Sequence, residues 1–134
     1  MDQFADVQQS FGRCLRGNNR FVDDFYRRLL GSDERIATMF ASTDWTLQNK
    51  AIRRGISLAI TFAGTPVAAR RQVREMAEVH SRGGRAPITP ELYEHWIESL
   101  ILTVQASDPD YSPSLGKRWR TALEPAIGFM QNSY

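Results

Sequence analysis

A chain of 134 residues has the length of one ordinary domain, here 1–134. Hydrophobic residues make up 42% and charged residues 24%, enough apolar content to build a packed core and too much for a disordered chain. The formal net charge of +2 comes from scattered arginines rather than a basic tail. Arg27-Arg28, Arg53-Arg54 and Arg70-Arg71 fall in separate segments, so no single stripe suggests a nucleic-acid partner.

One cysteine, Cys14, excludes an intrachain disulfide and suits a reducing compartment. It reads as a small buried residue rather than a nucleophile. No basic-then-apolar signal stretch opens the chain. The apolar run from Ile56 to Ala63 is interrupted by Ser57 and Thr61 and falls far short of the roughly 20 residues a bilayer span needs. The expectation is a cytoplasmic protein with no membrane partner.

Helical periodicity runs through the chain, with no alternating strand pattern and no internal repeat. Phe4, Val7, Phe11, Cys14 and Leu15 mark a first helix, interrupted at Gly17-Asn18-Asn19. Phe21, Phe25, Leu29 and Leu30 form one face of a second, which Gly31 ends. Ser32-Asp33 can cap a short third helix leading to Phe40. After Thr43-Asp44 a long helix is expected to about Ala63. Its buried stripe is read as Ala51, Gly55, Leu58, Ala59 and Phe62, with Ile52, Ile56 and Ile60 flanking. Gly64-Thr65-Pro66 breaks the chain.

The next helix sets Val73, Met76, Ala77 and His80 on one face and is expected to stop at Gly83-Gly84. Thr89-Pro90 supplies a cap and a first-turn proline for a helix carrying Tyr93, Trp96, Ile97, Leu100, Ile101 and Val104. Ser112-Pro113 opens the last helix, with Trp119, Leu123, Ile127 and Met130 facing in. Pro125 is expected to kink it.

His80, closing an apolar stripe, is the residue most able to carry chemistry. An isolated histidine there is more often a core or rim residue, and no second His or Cys stands at zinc spacing. His95, beside Glu94 and Glu98, reads as solvent-facing and is given no role. A neutral imidazole can nonetheless serve alone as the axial ligand of a haem iron. Phe40, Tyr93 and Trp96 are the aromatics placed to wall an apolar slot.

The order of several segments resembles the globin family over nearly the whole chain. "FYRRLLGSDERIATMF" resembles the second and third globin helices, "AIRRGISLAITF" the distal helix, and "VREMAEVH" the proximal helix. "ITPELYEHW" resembles the following corner and helix, and "WRTALEPAIGFM" the final helix. The pattern is most similar to bacterial single-domain globins and to the haem domain of flavohaemoglobins. The resemblance implies an all-α globin fold of about seven to eight helices around a haem pocket holding haem b. His80 would be the proximal iron ligand, and Phe40, Leu58, Met76, Ile88, Tyr93 and Trp96 would pack the porphyrin. Tyr26 would stand over the distal face and donate a hydrogen bond to bound gas.

Two registers of the distal helix remain. In the first, Gly55 packs at the crossing with the second helix, Arg54 takes the distal polar position and Leu58 covers the haem. Arg54 could instead turn outward to a propionate. In the second, Gln48 is the distal polar residue and Ile52 its apolar neighbour, which would bury Asn49 and Arg53 against the second helix; it ranks behind the first.

Tyr93 matches the tyrosine with which flavohaemoglobins support the proximal histidine, but the late glutamate that accompanies it has no counterpart before Tyr134. His80 is therefore expected to bond a backbone carbonyl in the neighbourhood of Met76. No reductase domain and no nucleotide-binding glycine loop follow. The expected function is reversible binding of dioxygen, or of carbon monoxide or nitric oxide, rather than catalysis. Alternatives are nitric oxide dioxygenation with a separate reductase and gas sensing through a separate partner. The exposed faces of the last two long helices could pair in a homodimer.

Overall fold

The computed structural model describes residues 3–134, and helices account for most of them. In chain order they are α1 (Ala5–Gly17), α2 (Phe21–Ser32), α3 (Glu34–Met39), α4 (Trp45–Gly64), α5 (Pro66–Val79), α6 (Tyr93–Ser107) and α7 (Pro113–Asn132). A 3-10 turn, Pro90–Leu92, leads into α6. No strand occurs among the described residues.

Local chemistry explains where these helices begin. The Asp33 carboxylate accepts from the Arg35 backbone N–H, Asp44 from Thr46 and Leu47, and the Ser112 hydroxyl from Leu115, so α3, α4 and α7 each start with an otherwise orphaned donor satisfied. Thr89 behaves differently from the expected cap. Its hydroxyl is buried without a partner, the chain makes a 3-10 turn, and the α-helix starts only at Tyr93. A single residue, Thr65, separates α4 from α5. α7 runs as one helix through Pro125.

The heaviest packing joins α4 to α7 and α5, and α2 to α6, with α1 lying across α6 and α7. Phe21, Phe25, Leu100, Trp119 and Leu123 are fully buried between them. Cys14 is also buried, and burial pushes its thiol up to about 12, which makes it unreactive.

One end of this core is tied by polar groups. The Trp119 indole N–H donates to Ser10 Oγ at 2.9 Å, and Ser10 in turn donates to Asp108 Oδ2 at 2.5 Å. Arg13 grips the same carboxylate through Nε at 2.7 Å and Nη2 at 2.9 Å. Burial pushes the Asp108 carboxyl up, but the hydrogen bonds from Arg13, Ser10 and the Asp110 backbone outweigh it and hold it at about 2.

The buried face of α4 differs from the expected stripe. Ile52, Ile56, Ala59 and Ile60 are buried, Gly55, Leu58 and Phe62 are half-buried, and Ala51 is exposed. The isoleucines read as flanking face the core, because α4 lies against α7 rather than squarely on α2. Gly55 does not mark the crossing with α2: a Cβ built there would meet only Met76 Sδ of α5, at 3.9 Å.

Candidate functional site

α2 and α4 meet only marginally, and a crevice of about 690 Å³ opens beside their junction. That size suits a small-molecule or cofactor site. Its walls come from α2 (Tyr26, Leu29), α3 and the residue after it (Ile36, Met39, Phe40), α4 (Gln48 to Ala59) and α5 with its cap (Gln72 to His80). Arg85, Ala86 and Ile88 of the following loop, Leu92, Tyr93 and Trp96, and Ile127 and Met130 of α7 complete it. All the residues singled out from sequence border this one crevice: Tyr26, Phe40, Arg54, Leu58, Met76, His80, Ile88, Tyr93 and Trp96. Gln48 and Ile52, from the second register, border it too.

His80 is the C-cap of α5, its backbone N–H still bonded to the Met76 carbonyl at 3.1 Å. Its ring is held elsewhere than expected. Nδ1 lies 2.9 Å from the carbonyl oxygen of Ala86, in the loop, and not on a carbonyl near Met76. A carbonyl can only accept, so Nδ1 donates, and in the neutral ring the lone pair is then on Nε2. The loop reaches that position by folding tightly back on α5. Ala86 N–H bonds to Val79 O and Ile88 N–H to His80 O, both at 3.0 Å. Gly84 permits the approach, since a Cβ there would sit 2.3 Å from the carbonyl oxygens of Glu78 and Val79. The helix therefore ends at Val79, ahead of Gly83-Gly84, because His80 and the loop take over its last carbonyls.

Tyr26, also on the crevice wall, is 4% exposed, and Gln48 Nε2 donates to its phenol oxygen at 2.8 Å. With that lone pair used, the phenol proton remains available to an acceptor in the crevice. Burial raises Tyr26 to about 12 even though the Gln48 bond lowers it, so the phenol is neutral at any ordinary pH. Gln48 thus occupies the polar position facing Tyr26. Arg53 is exposed, so this arrangement does not bury it against α2 as anticipated, and Asn49 is half-buried. Arg54 is exposed and stands with Gln72, Glu75 and Arg85 among the polar lining.

Phe40 packs edge-on to Tyr26 at 5.6 Å and stacks on Trp45 at 5.7 Å, and Trp96 packs edge-on to Phe25 at 5.7 Å. Tyr93 is buried with its hydroxyl unpartnered, and burial raises it to about 12. His95 proves half-buried rather than fully in solvent, with Nε2 3.6 Å from the Asp33 carboxylate, and it does not border the crevice. Hydrogen bonds from Arg35 hold that carboxylate at about 2.

Sequence reasoning missed the Ala86 carbonyl, Arg85 and Trp45. A backbone acceptor has no sequence signature. Trp45 did have one: a tryptophan directly after the Asp44 cap, outside the apolar pattern of α4. The arrangement can hold a largely apolar group, present one imidazole nitrogen to a metal, and offer a phenol donor to a small polar ligand. No group of three or more His, Cys, Asp or Glu among the described residues forms a metal site by itself, so a metal here would have to arrive in a group that supplies its other ligands.

No family model matches the chain, and no curated protein does. A solved structure does: protein PA3967 from Pseudomonas aeruginosa PAO1, described as structurally highly homologous to a human hemoglobin. The two share 34% identity over 98% of each chain, with a TM-score of 0.92. Identity at that level over nearly the full length, with so close a structural match, establishes that the chain belongs to the globin family.

Proposed function

We propose that this globin holds haem b in the crevice and reversibly binds a diatomic gas there, dioxygen foremost. The observation that carries the reading is the His80 ring, oriented through Nδ1 by the Ala86 carbonyl so that Nε2 is the nitrogen left for iron. Bound haem would supply an iron able to bind a diatomic gas, and His80 would hold that iron through Nε2. The residues present fit such a group. Leu58, Met76, Ile88 and Trp96 give the porphyrin apolar contact, and Met39, 41% exposed, borders the same space. Arg54 and Arg85 can meet its carboxylates. Cys14 is buried in α1 and does not line the crevice, so the haem would be held without a thioether bond, as a b-type group is.

Elsewhere on the crevice wall, Tyr26 offers a phenol donor, and the hydrogen bond it accepts from Gln48 fixes which way that donor points. Phe40 and Ile52 line the same space with apolar surface and would shield a bound haem from water. A neutral imidazole bonded to a carbonyl, rather than to a carboxylate, stays less anionic and pushes less electron density to the metal. That favours reversible binding over redox turnover.

Absorption spectra of the ferric, ferrous and carbonyl forms test the proposal. A Soret band with a five-coordinate ferrous spectrum is expected for the native chain. His80→Gly should lose it, with recovery on adding free imidazole. Normal haem retention and an unaltered spectrum in His80→Gly would remove His80 from the role of ligand. Turnover of nitric oxide with an added flavin reductase, against single-turnover consumption, separates the enzyme alternative from gas binding.

A further inference from the structure

A shallow hollow of about 210 Å³ lies beside the crevice, lined by Asp23, Tyr26, Arg27, Leu30, Trp45 and Asn49. Tyr26 borders both spaces, Phe40 borders the crevice, and Trp45 borders the hollow. Trp45 covers that ring edge-on with centroids 4.9 Å apart and stacks on Phe40 at 5.7 Å with planes 17° apart. It is 37% exposed, and its indole N–H has no hydrogen-bond partner among the described residues, whereas the indole of Trp119 is anchored to Ser10. Its backbone, by contrast, opens α4 under the Asp44 cap. With its backbone held there and its indole held by no hydrogen bond among the described residues, the side chain can swing by rotation alone.

We propose that Trp45 is the gate to the Tyr26 side of the crevice: a small uncharged molecule collects in the outer hollow and enters when the indole leaves Tyr26 and Phe40. The assignment rests on the gas-binding reading. The crevice lining also includes Arg54, Gln72, Glu75 and Arg85, polar groups suited to the carboxylates of a bound haem, which would then fill that approach. The gate selects by size. A wider ligand such as an alkyl isocyanide needs a larger displacement of the indole than carbon monoxide does, so Trp45 also sets which ligands enter quickly.

Flash photolysis of carbon monoxide from the haem-loaded protein tests this. Trp45→Ala is expected to speed association and dissociation several-fold by the same factor, leaving the affinity unchanged, because a gate alters the barrier and not the end states. The gain should be larger for an alkyl isocyanide and should exceed any effect of Arg54→Ala. Asn49→Trp, which adds bulk to the outer hollow and leaves the crevice lining intact, is expected to slow both rates; it decides the matter if Trp45→Ala holds haem poorly. Unchanged rates in Asn49→Trp together with faster association in Arg54→Ala would overturn the gate and place the route over the charged edge. A native chain that takes up no haem would sink the gas-binding reading first, and that failure shows in the Soret band before any rate is measured.

Discussion

The two ends of this molecule treat buried polar groups in opposite ways. Around Asp108, the carboxylate, the Ser10 hydroxyl, the Arg13 guanidinium and the Trp119 indole all find partners, and the ring beneath them is fully buried. Around the crevice, the Tyr93 hydroxyl is buried without a partner, and apolar residues such as Met39 stay in contact with solvent. The first arrangement is what a closed core looks like. The second borders an open crevice, where orphaned donors and uncovered apolar surface both cost free energy. On the proposed function, the closed region carries stability and the crevice carries ligand binding.

Mutations at each end should therefore separate by readout. The largest expected effect is at the closed end: Trp119→Ala removes a fully buried ring and its hydrogen bond, and should cost about 3–5 kcal/mol in chemical denaturation. A loss under 1 kcal/mol would mean the α1–α7 contact does not anchor the fold. Next comes acid sensitivity at the same end. The folded Asp108 carboxyl lies near 2, below its ordinary value of 3.8, so its contribution is fully present above about pH 4 and is lost as pH falls toward 2. The melting-temperature gap between native protein and Asp108→Asn should thus narrow over that window, and a gap constant down to pH 2 would assign the acid sensitivity elsewhere.

At the open end the effects should move ligand kinetics more than stability. Tyr26→Phe removes the donor and with it the Gln48 contact, so oxygen dissociation from the haem-loaded protein should speed up by roughly tenfold, equivalent to one charge-assisted hydrogen bond of about 1.4 kcal/mol. An unchanged dissociation rate would shift the donor role to another residue. The smallest effect is expected for Tyr93→Phe. Deleting an unpartnered buried hydroxyl should leave the haem-free protein as stable or about 1 kcal/mol more stable. A clear destabilisation would reveal a partner for that oxygen and weaken the contrast between the two ends.

The same contrast explains what could be read from the chain. Asp33, Asp44 and Ser112 announce their helices because a cap is a local bond between a side chain and N–H groups two or three residues on. The crevice residues could be named because helical spacing places Met76 and His80, or Tyr93 and Trp96, on shared faces, and because the segment order resembles a known family. The α4 register could not be read. Its residues carry two adjoining apolar stripes, Ile52-Ile56-Ile60 and Ala51-Gly55-Leu58, and a protein core and an apolar crevice make the same demand on both.

Taken by itself, the order of residues determined the helices, most of their starts and the set of side chains that line the crevice, since these depend on interactions within a few residues and on periodicity. Tertiary structure decided the rest. Packing α4 on α7 turned the isoleucines inward and brought Gln48 to Tyr26 across 22 positions of chain. Folding the loop back at Gly84 brought the Ala86 carbonyl to His80. Both contacts join groups whose partners are chosen by the path of the backbone through space, and a carbonyl looks the same at every residue until that path is known.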